Sequence, residues 1–110
     1  MKEIKAFLHR SRVADVVHAL RAAGFRNISL VDVKGMLQAL NALEGEYSIE
    51  FGEAVVTEAK LEVVCENNEV LQAVALIQQN GRTGRSDAGW IYVANVVESY
   101  PIEQWVPDDS

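Results

Sequence analysis

The chain has 110 residues, enough for one domain and too few for a second hydrophobic core. No run approaches the ~20 apolar residues that span a bilayer, Met1-Lys2-Glu3 opens no apolar signal segment, and a single cysteine, Cys65, excludes an internal disulfide scaffold or a paired-cysteine zinc or redox motif. A net charge of −6 argues against nonspecific binding to nucleic acid or to an anionic membrane, so a soluble cytoplasmic protein without nucleic-acid partner or membrane insertion is expected.

Residues 3–8 alternate in polarity, with Ile4, Ala6 and Leu8 on one strand face and Phe7 leaving the other partly apolar. Ser11 offers a helix cap, Val13, Val16, Val17 and Leu20 recur at helical spacing, and Gly24 stops the helix. Ile28 to Val33 is rich in β-formers and closes at Lys34-Gly35. Residues 55–65 form a third strand, with Lys60 and Glu62 on one face and Leu61, Val63 and Cys65 on the other. Asn67 or Asn68 can cap a second helix whose stripe is Val70, Ala73, Val74 and Ile77 and whose end is Gly81. A fourth strand, Trp90 to Val97, is apolar on both faces, and a tail over 98–110 follows, where Trp105 is a candidate anchor.

The order is β-α-β, a long connection over 36–54, then β-α-β. Right-handed crossovers make this an α+β chain of the ferredoxin-like split βαβ type: one domain over 1–110, a four-stranded antiparallel sheet with two helices on one face. Phe7, Trp90 and Tyr92 then lie on strands with apolar groups of both parities and require burial by further copies, so a homo-oligomer is expected. The long connection carries Met36, Leu37, Leu40, Leu43, Tyr47, Ile49 and Phe51, too many large apolar groups for a simple solvated lid.

The chemistry-bearing stretch is Arg82-Thr83-Gly84-Arg85-Ser86-Asp87-Ala88-Gly89, running into the fourth strand. Glycines allow successive amide N–H groups to converge on an anion, and two arginines add charge-assisted donors for a phosphate or carboxylate. The same composition also serves an ordinary helix-to-strand turn. Residues 36–59 hold Glu44, Glu46, Glu50, Glu53 and Glu58 and no Lys or Arg, so a divalent metal or a basic partner belongs there, with His9 a better nitrogen ligand than His18. A hydrolytic site would have to assemble Cys65, His9 and Asp87 from distant positions. In a purely structural oligomer, Trp90 would pack between subunits and Glu62 would form a salt bridge across the sheet.

Taken together, Met1-Lys2-Glu3-Ile4-Lys5-Ala6, Val31-Asp32-Val33-Lys34-Gly35, Lys60-Leu61-Glu62-Val63-Val64, and Arg82-Thr83-Gly84 followed by Gly89, Ile91 and Val93 resemble the P-II signalling protein superfamily, from Met1 to about Val97. The resemblance implies a homotrimer that binds an adenine nucleotide (AMP, ADP or ATP) in clefts between subunits and regulates a transporter or enzyme through its long loop, without catalysis. It also implies that Ser29 faces the nucleotide, Gly35 opens the long loop, Val64 packs near the base, and Thr83, Gly84, Arg85, Ser86, Asp87, Ala88 and Gly89 surround the phosphates, with Arg82 beside them.

The departures from that pattern are chemical. Trp90 and Glu58 stand where basic residues are usual, Leu37 and Ala39 replace a glycine and a glutamine of the loop, and Pro101 and Glu103 replace arginines. Fewer cations leave more phosphate charge to backbone donors. Phe51 stands where many members carry a modifiable tyrosine, and without a phenolic hydroxyl it excludes nucleotidylation there. The chain is therefore similar to divergent P-II-like proteins of carbon or metal transport, and a metal-responsive protein is the alternative reading.

Overall fold

Alternation in the first strand translates directly into layers. In the computed structural model, which describes residues 1–32, 58–85 and 89–103, β1 spans Lys2–His9 and sinks Ile4, Ala6 and Leu8 while the intervening residues stay half-exposed. A short 3-10 turn, Arg10–Arg12, leads into α1, Val13–Ala22. After β2 (Ile28–Asp32) and β3 (Glu58–Cys65), a second 3-10 turn, Asn67–Glu69, precedes α2, Val70–Gly81, and β4 runs over Gly89–Asn95.

The four strands pair antiparallel in the order β2-β3-β1-β4. Each β-α-β unit thus skips one strand that the other unit fills, which is the ferredoxin-like split arrangement expected from the element order. Between sheet and helices lies one core: Ile4, Leu20, Leu61, Ile77, Val16 and Val63 are all essentially inaccessible. At roughly 1.5–3 kcal/mol for each such side chain removed from water, these six dominate what holds the helices to the sheet. The stripes anticipated for the helices appear, with Val16 and Leu20 buried in α1, Ala73 and Ile77 buried in α2, and Val13, Val17, Val70 and Val74 packed at their borders.

α1 ends in a Schellman turn. The Phe25 N–H donates to Leu20 O at 3.0 Å and the Gly24 N–H to Arg21 O at 3.0 Å, and Phe25 and Leu20 are both buried. The helix starts differ from expectation. Ser11 does not cap α1: its hydroxyl lies 2.8 Å from His9 Nδ1, and that same ring nitrogen accepts from the Ser11 N–H, so the histidine closes the 3-10 turn. Neither Asn67 nor Asn68 caps α2 directly, because both lie in the 3-10 turn. Asn67 Oδ1 accepts from the N-terminal ammonium at 2.9 Å, and the Glu66 N–H donates to Glu69 Oε1 at 3.0 Å. β4 begins at Gly89 and ends at Asn95, two residues short of Val97: its last pair is Asn95 with Lys2, and one further backbone bond follows, from the Val96 N–H to Met1 O at 3.1 Å. The stretch 55–57 proposed for the third strand, the 36–54 connection and Trp105 lie outside the described residues.

The sheet face away from the helices carries, row by row across β3, β1 and β4, Lys60, Phe7 and Trp90, then Glu62, Lys5 and Tyr92. Trp90 is 73% exposed and Tyr92 56%. Phe7 meets Tyr92 edge-on, ring centroids 6.0 Å apart. Glu62 pairs with Lys60 along its own strand at 3.1 Å, rather than across the sheet. Among the described residues nothing covers this face.

Candidate functional site

Two glycines shape the loop that follows α2. The helix ends at Gly81, and Arg82 turns the chain into extended backbone at φ −65°, ψ 138°. Gly84 takes φ +82° in open space, and beside it the Arg85 N–H donates to Thr83 Oγ1 at 3.3 Å. Gly89 opens β4 at φ +145°, where a Cβ would sit 1.9 Å from the Phe7 carbonyl oxygen. Both conformations suit a residue without a side chain. Gly89 thus packs its backbone against β1, and the side chains of Arg82 and Arg85 are exposed.

Beside this loop, between α2 and β4, lies a groove of about 580 Å³ whose walls include Leu8, Ile77, Gln78, Arg82, Trp90 and Val93. Its floor is apolar and Arg82 supplies a cation at one end. Gln78 stands one helical turn before Arg82, a spacing that the helical reading already contained although the residue was not singled out. Arg82 forms no ion pair or side-chain hydrogen bond among the described residues. The groove thus sets one guanidinium, that of Arg82, beside an apolar wall.

The expected site residues do not converge within one chain. Arg82, Thr83, Gly84, Arg85 and Gly89 gather at the start of β4, one edge of the sheet. Ser29 is exposed on β2, the opposite edge, on the face shared with Glu62. Val64 lies half-buried on β3 opposite Glu3, and its N–H donates to Asn27 O at 3.1 Å. Three strand spacings, about 14 Å, separate the two edges. Gly35, Ser86, Asp87 and Ala88 lie outside the described residues.

The residues of the hydrolytic alternative separate as well. Cys65 pairs with Lys2 at one end of β1 and His9 closes the other, opposite Glu58, a span of about 23 Å at strand rise. Burial, with Glu69 and Glu66 nearby, pushes the Cys65 thiol above its ordinary value of 9.0, which disfavours the nucleophilic thiolate. His9 Nδ1 is engaged by Ser11. Among the described residues no three His, Cys, Asp or Glu side chains gather into a metal-binding group, and Glu44, Glu46, Glu50 and Glu53 fall outside them. No helix among them is long and apolar enough to cross a membrane.

Comparison with known proteins agrees with this architecture. The family model for nitrogen regulatory protein P-II matches residues 1–104. The chain is 32% identical over 102 residues to nitrogen regulatory protein P-II of Azospirillum brasilense, covering 89% of this chain and 88% of the relative. It is 30% identical over 106 residues to that of Rhodospirillum rubrum, covering 93% and 91%. To nitrogen regulatory protein P-II 1 of Methanothermobacter thermautotrophicus it is 29% identical over 98 residues, covering 89% and 85%. Matched almost end to end by the family model and folded in the split βαβ arrangement, the chain belongs to the nitrogen regulatory protein P-II family.

Proposed function

We propose that the chain is a non-enzymatic signalling protein that binds an adenine nucleotide between subunits of a homotrimer and regulates a partner transporter or enzyme through residues 36–54. The observation that carries this reading is the division of the site. The loop of Arg82, Gly84 and Arg85 sits on the β4 edge and Ser29 on the β2 edge of the same sheet, so a site that uses both needs the β4 edge of one copy beside the β2 edge of the next. A cyclic ring makes that contact once per subunit. Exposed Trp90 and Tyr92 on the open sheet face supply the apolar surface for such association. Occupancy of the shared cleft changes the ensemble of the long loop, and with it the fit to the target.

Non-catalytic action is favoured by the separation of Cys65 from His9 along β1. The test combines light scattering for mass with isothermal titration of AMP, ADP and ATP. A trimer that takes up at least one nucleotide, with affinity reduced at least about tenfold in an Arg82→Ala/Arg85→Ala variant, is expected, since a hydrogen bond to a charged group contributes roughly 1.5–3 kcal/mol. A monomer, or no heat with any of the three, overturns the proposal.

A further inference from the structure

A second cleft lies at the far edge of the molecule. It has a volume of about 510 Å³, and the last turns of α1 and the start of β2 line it with Val17, Arg21, Phe25, Arg26, Ile28 and Leu30. Its apolar side is incomplete, as Leu30 on the helix-facing side of the sheet remains 52% exposed. Arg21 and Arg26 flank the Schellman turn, both exposed, and neither has an ion pair or side-chain hydrogen bond among the described residues. The cleft thus combines an uncovered apolar strip with two guanidinium groups and asks for a segment with an apolar side chain next to a carboxylate.

The chain contains such a segment. No Lys or Arg follows Arg85, and residues 98–110 carry Glu98, Glu103, Asp108 and Asp109. Residues 1–32, by contrast, hold six of the ten Lys and Arg and only three acids. After β4 the chain leaves the sheet with Val97, Tyr100 and Ile102 exposed at 89%, 71% and 101%. Ile102 directly precedes Glu103. A fully exposed isoleucine beside a glutamate, in a segment whose sequence is acidic, is a ligand without a seat among the described residues of its own subunit.

We infer that the tail around Ile102-Glu103 of one copy docks in the Arg21–Arg26 cleft of a neighbouring copy, Ile102 against Phe25 and Leu30 and Glu103 between the guanidinium groups. Register places donor and acceptor at the same end of the sheet: Asn95, the last residue of β4, pairs with Lys2, which pairs with Cys65, and Ile28 at the head of β2 pairs with the nearby Val63. When the β4 edge of one copy faces the β2 edge of the next in a ring, the tail begins beside its neighbour's cleft. Seven residues from Asn95 to Ile102 reach up to about 24 Å. The inference rests on the assembly proposed above. It adds to that assembly a contact that belts the subunits together by charge and weakens with salt.

The test is a photo-crosslink in the full chain. Ile102 is replaced by p-benzoylphenylalanine, and unlabelled and 15N-labelled copies are mixed, unfolded, refolded together and irradiated. Adducts joining the residue-102 peptide to the Arg21–Leu30 peptide, with mixed isotopes in the statistical proportion, are expected. Arg21→Glu/Arg26→Glu, substitutions at exposed positions, should reduce the adduct at least tenfold, and reversal of the tail charge by Glu103→Lys in the same chain should restore part of it. Same-isotope adducts alone would mean docking within one chain and overturn the inference. So would adducts elsewhere, or a yield indifferent to both reversals. Mass and nucleotide uptake of the wild-type chain are measured alongside: a nucleotide-binding trimer without the adduct sinks this docking only, whereas a monomer sinks the shared-cleft reading with it.

Discussion

Replacing Gly89 with alanine separates two costs that the two loop glycines place side by side. At Gly84 an added Cβ meets no atom within 4 Å, so alanine there costs only its backbone, φ +82°, about 1–2 kcal/mol for the left-handed region. At Gly89 the backbone penalty at φ +145° recurs, and the Cβ falls 1.9 Å from the Phe7 carbonyl oxygen and 3.1 Å from its carbon. Phe7 cannot retreat, because β1 is held on both sides, by β3 and by β4. The head of β4 must peel away instead, releasing the Leu8–Gly89 and Phe7–Trp90 positions of the ladder. Strain of roughly 1–3 kcal/mol and two ladder positions at about 0.5–1.5 kcal/mol each together give about 2–6 kcal/mol. Urea unfolding followed by far-ultraviolet circular dichroism, at one protein concentration because association is linked to stability, should show Gly89→Ala at least about 1 kcal/mol less stable than Gly84→Ala. Equal loss in the two variants would refute the proposed steric role of the Phe7 carbonyl.

Three further outcomes follow from the core. Leu20→Ala, at a fully buried position closing the Schellman turn, should lose about 2–5 kcal/mol in the same urea assay; a loss below 1 kcal/mol would mean that α1 is not seated as described. Cys65 should react with a thiol reagent far more slowly in the folded protein than in urea at pH 8, and equal rates would contradict its burial. Because the folded-state thiol is raised, the native state holds its proton at a pH where the unfolded chain, near its ordinary value of 9.0, has begun to lose it. Stability tied to this group is complete below that pH and declines as pH rises towards the folded value. Denaturation midpoints at pH 7 and pH 10 should therefore fall further apart in the wild type than in Cys65→Ala.

How much was legible beforehand depends on whether a feature is periodic or relational. The strands and both helices were readable because Ile4, Ala6 and Leu8 repeat at the strand period, and Val16 with Leu20 and Ala73 with Ile77 at the helical one, and these residues are the buried ones. Helix entry was not readable, since capping depends on where a side chain finds its partner. Ser11 is diverted to the ring of His9, and Asn67 to the N-terminal ammonium, 66 positions away in sequence. The end of β4 was missed for a related reason: its apolar run continues to Val97, but the last backbone bond to the neighbouring strand is the one from the Val96 N–H to Met1 O.

The site was legible as a set of residue types and illegible as a place. Glycines and arginines over 82–89 announced a loop with the residue types an anion site uses, and Gly84 and Gly89 adopt the positive φ that glycine permits. Their spacing alone does not say that Ser29 stands on the opposite edge of the sheet; that follows from strand order, which the interleaving of two β-α-β units implied and the sheet shows. That interleaving forces a choice. A single copy either has two unrelated half-sites, or its edges are halves of a joint that exists only between copies. The uncovered aromatic face, the apolar groove beside Arg82 and the basic cleft at Arg21 and Arg26 all favour the joint. A concentration series reads this directly. If nucleotide uptake is lost on dilution in step with dissociation of the assembly, the site is the joint, whereas uptake that survives in an isolated subunit would place the whole site on the β4 edge and leave Ser29 without a role in it.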